Sequence, residues 1–208
     1  MRIGIIGAGN LGVAIGRRLA ERGHHITISF ARTPDKVQAA ADSIGHDASG
    51  GTPREAVQDA EVVVLATPWA VSIETVTELA DALAGKVLWD TINPFAPTMD
   101  ELLIGTSTSA GEEVAAAAPG ATVVKAIAPF AEALAGASVD GPRPTVFVCG
   151  DDDEARRTVA SLVGDLDADP VDAGPLKLAR FTEPVGMLVT NLAYVRGLGA
   201  GIALVLHR

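Results

Sequence analysis

The chain has 208 residues, of which 48% are hydrophobic, 20% charged and 4% aromatic, and its net charge is −10. That size and apolar content suit one large globular domain, or a domain with a small added lobe. The negative charge argues against nucleic acid and anionic membrane surfaces as partners, so any bound anion needs a locally built site.

The first twelve residues organise the rest. Arg2-Ile3-Gly4-Ile5-Ile6 is a short apolar run with β-branched side chains, which predicts a buried strand. Gly7-Ala8-Gly9-Asn10-Leu11-Gly12 matches G-x-G-x-x-G and leads into helical sequence over 11–22, closed by Gly23. In a strand–turn–helix setting each glycine has a task. Gly7 permits the tight turn, Gly9 lets backbone approach a pyrophosphate, and Gly12 lets the helix pack close to the strand. The phosphates belong on the free N–H groups at the positive end of the helix.

The second strand is Ile26-Thr27-Ile28-Ser29. NAD-specific sites close this strand with an acid that binds the ribose 2′-OH. Here Arg32 follows instead, with Lys36 one helical turn further on. That pair suits the 2′-phosphate of NADP. Both residues also read as surface cations, with Asp35 near enough to pair with either. The helix continues over 37–44. A loop over 45–52 precedes a short helix with Thr52 as N-cap and Pro53 at its first position. Glu61-Val62-Val63-Val64-Leu65-Ala66 is a fully buried strand, and a helix is expected over 71–83. Ligands of open parallel sheets bind at the carboxyl ends of the strands. Thr67, Pro68 and Trp69 are therefore candidates to line a nucleotide, although Trp69 reads nearly as well as plain packing.

Lys86-Val87-Leu88-Trp89-Asp90 is the next strand, and it delivers Thr91-Ile92-Asn93-Pro94 to the same edge. Asn93 suits a hydrogen bond to a ribose or a carboxamide, and equally suits a turn fixed before proline. A polar loop over 97–109 and an alanine-rich helix over 112–118 lead to a strand over 121–127, which brings up Ala128-Pro129-Phe130. A helical piece over 131–135 follows. The glycine- and proline-containing loop over 139–144 marks a boundary between a dinucleotide-binding domain, 1–140, and a small lobe, 141–208.

In that lobe, 145–149 is a strand, 152–166 a helix with acids in its first turn, and 169–172 an extended segment. Gly174-Pro175 opens a long helix whose apolar residues Leu178, Phe181, Val185, Leu188, Leu192 and Val195 recur at spacings of 3 and 4. Pro184 inside it predicts a kink or break near 180–183. The apolar tail over 197–206 is too short to span a bilayer, and it suits packing across a homodimer as well as packing within the chain. The expected class is α/β, a Rossmann-type doubly wound and mainly parallel sheet, with a small C-terminal α/β lobe ending in a long helix.

Cys149 is the single cysteine, which excludes an intrachain disulfide, fits a cytoplasmic protein and reads as core within its strand. The N-terminus is a strand without a signal-peptide layout. The histidines, His24, His25, His46 and His207, have no metal-ligand spacing, so no metal site is expected. No catalytic acid pair or triad stands out, and no catalytic residue is assigned. Such a sequence points to chemistry carried by cofactors, with the protein supplying binding and orientation.

Several segments together resemble a known family: Gly4-Ile5-Ile6-Gly7-Ala8-Gly9-Asn10-Leu11-Gly12, Leu65-Ala66-Thr67-Pro68-Trp69, Asp90-Thr91-Ile92-Asn93-Pro94, Val123-Val124-Lys125-Ala126, Pro144-Thr145-Val146-Phe147-Val148 and Val171-Asp172-Ala173-Gly174-Pro175-Leu176. The chain resembles the NADP oxidoreductases that use the deazaflavin coenzyme F420, over nearly its whole length. The resemblance implies NADP as cofactor and coenzyme F420 as a small-molecule co-substrate, entering between the domain and the lobe. It implies hydride transfer between deazaflavin C5 and nicotinamide C4, which needs carbons about 3–3.5 Å apart and no side-chain acid. By position, Gly9, Asn10 and Leu11 meet the pyrophosphate, Arg32 the 2′-phosphate, Thr67 and Pro68 the adenosine-to-ribose span, and Asn93 and Ala126 the nicotinamide. Two positions depart from the family pattern. Phe30-Ala31 stands before Arg32 where relatives often have serine, and Ile127-Ala128 stands where they often have Phe-Asn. The alternatives are an NADPH-dependent reductase of an imine or another small substrate, and a dinucleotide-binding sensor without turnover.

Overall fold

The structure is a computed structural model, and it describes residues 1–30, 33–136 and 142–207. Arg32 and the first half of the expected 139–144 boundary loop lie outside the described residues. The chain alternates β1 (Arg2–Ile6), α1 (Asn10–Glu21), β2 (His25–Ser29), α2 (Pro34–Ile44), β3 (Ser49–Gly50), α3 (Pro53–Gln58) and β4 (Val62–Leu65). Next come α4 (Trp69–Glu78), α5 (Ala80–Leu83), β5 (Val87–Asp90), α6 (Ala110–Ala117), β6 (Thr122–Lys125) and α7 (Ala131–Ala135). The remainder is β7 (Thr145–Gly150), α8 (Asp153–Asp165), β8 (Asp169–Gly174), a 3-10 turn (Leu176–Leu178), α9 (Ala179–Thr190) and a π-helical turn (Asn191–Val195).

The strands form one sheet in the order β3-β2-β1-β4-β5-β6-β7-β8. Pairing is parallel throughout except between β6 and β7. This is the doubly wound α/β architecture read from the sequence. Side-chain alternation explains why the strands are apolar at nearly every position. Ile3, Ile5, Val62, Val64, Trp89 and Val124 pack on one face with α1, α2 and α8. Ile6, Val63, Leu65, Leu88 and Val123 pack on the other with α3, α4 and α6. A central parallel sheet is covered on both faces, so its strands have no solvent side.

Local signals decide several boundaries. Thr52 and Glu55 form a reciprocal capping box, with Pro53 in the first turn of α3. Asp152 caps α8 by accepting from Ala155 N–H at 2.8 Å. β8 carries Pro170 as an outer strand, a position that tolerates a residue without N–H.

Two expectations need correction. The helix over 71–83 is two helices, α4 and α5, separated at Leu79. The last helix is not broken before Pro184, and α9 runs through it. The proline removes the N–H that would bond to the Arg180 carbonyl, a local penalty of about 3 kcal/mol. Contacts on either side outweigh it. The Arg180 guanidinium forks onto Glu112 of α6 at 2.6 and 2.8 Å, and Glu183 accepts from Ala110 N–H and Gly111 N–H at 3.0 and 3.1 Å.

Candidate nucleotide-binding cleft

The carboxyl ends of β1, β4, β5 and β6 converge at one edge. Each loop is held to its neighbour by backbone: Gly7 N–H to Ser29 O (3.0 Å), Ala66 N–H to Ile6 O (2.8 Å), Thr91 N–H to Leu65 O (3.2 Å) and Ala126 N–H to Asp90 O (3.0 Å).

The three glycines of the first turn differ in what they do. Gly7 has φ +133°, and a Cβ there would lie 2.3 Å from Ala66 O. A Cβ on Gly12 would lie 1.9 Å from Gly7 O. The protein's own packing therefore demands both. A Cβ on Gly9 would meet nothing within 4 Å. Gly9 is the N-cap of α1, with no side-chain cap and no acid in the first helical turn. The positive helix end faces open space, the arrangement that favours an anion.

A cleft open to solvent runs from this helix end along the edge. Asn10, Leu11, Thr67, Pro68, Trp69 and Asn93 all line it. An adjoining groove carries Gly9, Asn10 and Lys36 together. Ala126 is not on the wall: it is buried, with its carbonyl accepting from Trp89 Nε1–H at 2.8 Å. The wall is instead made by the next residues, Ile127, Ala128, Pro129 and Phe130. Several polar side chains of the cleft are already engaged. Thr67 Oγ1 bonds Ser72 Oγ (2.9 Å), and Thr91 donates to Leu65 O (2.8 Å). Asn93 reaches α9; with its amide oriented to suit its neighbours, the nitrogen donates to Glu183 O and the oxygen accepts from Met187 N–H, both at 3.3 Å. Gly186 makes room for this, since a Cβ there would lie 2.6 Å from the Asn93 amide.

Beneath Asn93 lies a charged cluster that sequence reasoning missed. Lys125 Nζ sits 3.0 Å from Asp90 Oδ2 and 3.0 Å from Glu183 Oε1, with all three side chains at most 1% exposed. It also donates to the Ile92 carbonyl. Asp90 Oδ1 accepts from Ile92 N–H at 2.8 Å. Burial by itself lowers the lysine pKa, but the two carboxylates outweigh it and hold Lys125 above its ordinary value. The available signal was register: Asp90 and Lys125 end adjacent strands and pair directly across them.

The opposite rim is built by α7 and the π-helical turn. Tyr194 donates to Glu132 Oε2 at 3.0 Å and meets Phe130 edge-on, ring centroids 5.2 Å apart. Burial, then the Glu132 carboxylate, push the phenol up to about 12. Cys149 is buried in β7, and burial pushes its thiol up to about 11, as expected of a core residue. Among the described residues no group of His, Cys, Asp and Glu is arranged to hold a metal, and no helix is long and apolar enough to cross a membrane.

Residues 2–94 match the family model for NADP oxidoreductases that are coenzyme F420-dependent. The F420-dependent NADP reductase of Methanocaldococcus jannaschii is 28% identical over 92% of this chain and 92% of its own. A solved structure from Arthrobacter sp. FB24, provisionally described as an F420-dependent NADP reductase, has a TM-score of 0.86 and 29% identity over 100% of both chains. The chain is similar to coenzyme F420-dependent NADP oxidoreductases over nearly its whole length, and its first 94 residues carry the match to their family model. These similarities support an oxidoreductase of the NADP-linked class. The rat metalloreductase STEAP3 is 33% identical over 88% of this chain, which spans 36% of that protein's length. In this chain the glycine turn, strand-end loops and α9 line one crevice at the sheet's carboxyl edge.

Proposed function

We propose that the protein transfers a hydride between NADP(H) and the deazaflavin ring of coenzyme F420. One observation carries this reading: a single cleft is lined on one side by the helix-end and strand-end residues Asn10, Leu11, Thr67 and Pro68, and on the other by the mainly apolar wall Ile127–Phe130 and Tyr194. The open space at Gly9 fits a pyrophosphate. When bound, NADPH supplies a hydride from its nicotinamide and the deazaflavin accepts it. The chain's contribution is placement. The α1 amides hold the phosphates, the loops after β4 and β5 carry the ribose and nicotinamide end, and the apolar wall excludes water from the gap between the rings. Mixing protein, oxidised coenzyme F420 and NADPH is expected to bleach the deazaflavin absorbance. Deuterium on the transferred face of nicotinamide C4 is expected on the deazaflavin. No bleaching, or label released to water, overturns the reading.

NADP preference is assigned to Arg32 and Lys36. Lys36 shares its groove with Gly9 and Asn10. A hydrogen bond to a charged group contributes about 1.5–3 kcal/mol, so Arg32→Ala is expected to weaken NADPH binding about tenfold to a hundredfold and leave NADH binding unchanged. Equal loss for both nucleotides makes Arg32 structural. Two further assignments complete the reading, a cytoplasmic protein and a homodimer. The homodimer rests on Phe181, Leu188 and Val195, seven residues apart on the last helix and 69%, 59% and 52% exposed. The tail is not buried within the chain either, with Leu198 and Leu206 60% and 46% exposed.

A further inference from the structure

Among the described residues, two ionisable side chains line the cleft, Glu132 and Tyr194, and these are bonded to each other. The other described residues on the walls are apolar or neutral. The neutral groups Thr67, Thr91 and Asn93 are turned to partners within the protein. Glu132 is different. One carboxylate oxygen holds the Tyr194 phenol, while the other takes no hydrogen bond among the described residues, and no lysine or arginine among them pairs with it. A carboxylate accepts only, and it does so strongly from N–H donors.

The backbone that carries this carboxylate is tied at both ends. α7 begins at Ala131, directly after the apolar wall. Arg18 of α1 ties down its far end by donating to Leu134 O (2.8 Å) and Gly136 O (2.9 Å). Tyr194 is steadied in turn by its edge-on contact with Phe130. The tyrosine comes from the π-helical turn that ends α9, and such turns are often found at functional sites. The Tyr194 hydrogen bond restricts the carboxylate before a second donor arrives, which lowers the ordering cost of binding.

We propose that Glu132, held by Tyr194, is the specificity-determining residue for the second substrate and accepts an N–H from its ring. This rests on the proposed hydride transfer only in placing that ring in the cleft. The chemical class is a flat heterocycle with an N–H edge, such as the imide N–H of a pyrimidinedione or the N–H⁺ of a protonated cyclic imine. A ring carrying a carboxylate at that edge is rejected, because two anions would face each other without a cation between them.

The test uses the full-length protein with NADPH and three probes: the free deazaflavin chromophore, its N3-methyl derivative, and 1-pyrroline. The wild type is expected to bind the chromophore at least about tenfold more tightly than the methylated form, as befits loss of a charge-assisted hydrogen bond. In Glu132→Gln, KM for the chromophore is expected to rise about ten- to a hundredfold and the gap between the two forms to close. NADPH affinity, kcat and the melting temperature stay within about twofold or a few degrees. Tyr194→Phe is expected to fall between the two. Undiminished discrimination in Glu132→Gln overturns the assignment. So does tighter NADPH binding, which would place the carboxylate against the pyrophosphate. If the wild type reduces no deazaflavin but does reduce 1-pyrroline, the proposed reaction fails. The Glu132 assignment is then decided by whether Glu132→Gln raises KM for the imine. A wild type that binds none of the N–H rings overturns both.

Discussion

A Lys125→Met variant is expected to lose about 3–5 kcal/mol of stability, the range for breaking a buried ion pair from one side. The reason is specific to this cluster. Asp90 and Glu183 are both fully buried, and Lys125 is the cation within 3.0 Å of each. Without it, two carboxylates face one another in the interior. Glu183 keeps the α6 amides and Asp90 keeps Ile92 N–H, but none of those carries a full charge. At about 2–4 °C per kcal/mol for a chain of this size, the melting temperature should fall by roughly 6–20 °C. Adding Glu183→Gln to Lys125→Met should recover part of the loss, since one of the two stranded charges is then gone. The pH dependence follows from the raised lysine pKa. A group whose pKa is higher folded than unfolded contributes its full stabilisation below the unfolded value, about 10.4 for lysine. That contribution fades as pH rises through the folded value. The gap between wild type and variant should therefore stay level across neutral pH and shrink only in strong alkali. Denaturant unfolding at several pH values measures it. A loss below about 1 kcal/mol would show that the cluster contributes little net stability.

The legible and illegible parts of this chain divide along physical lines. Val62-Val63-Val64-Leu65 reads as a buried strand because a run of β-branched side chains bounded by polar residues has few other uses. Thr52-Pro53 reads as a helix start because capping is local chemistry. Register, by contrast, is a tertiary quantity. Nothing near Lys125 announces that Asp90, 35 residues earlier, and Glu183, 58 residues later, will meet its ammonium. The same holds for Tyr194 and Glu132, brought together across 62 residues by the end of α9. Pro184 shows local chemistry being overruled in part: the isolated sequence favours a kink or break, and the helix is unbroken where Glu183 and Arg180 bind it to α6 around the proline. The motif position of Ala126 points to the ligand, but the residue is buried in the core just past the end of β6.

Gly9→Val separates the site from the fold. Of the three glycines in the turn, Gly12 is held by a contact internal to the protein, 1.9 Å from its would-be Cβ to Gly7 O. Gly12→Ala should accordingly destabilise by about 1–3 kcal/mol through overpacking. Gly9 has no such neighbour, and its backbone, φ −89° and ψ −177°, is one that any residue adopts. Valine there gives up only the modest preference of an N-cap for glycine, about 1 kcal/mol or less. The Gly9→Val protein should therefore fold, with a melting temperature close to wild type. Its branched side chain would instead fill the open space before the α1 amides, where a pyrophosphate has to come within hydrogen-bond reach. Loss of those contacts is expected to weaken NADPH at least about a hundredfold, or roughly 2.7 kcal/mol, and to weaken NADH equally, because the two share that pyrophosphate. Fluorescence titration of both nucleotides, beside thermal melts of both variants, gives the comparison. A folded Gly9→Val protein that binds NADPH as tightly as wild type would move the nucleotide site away from this turn.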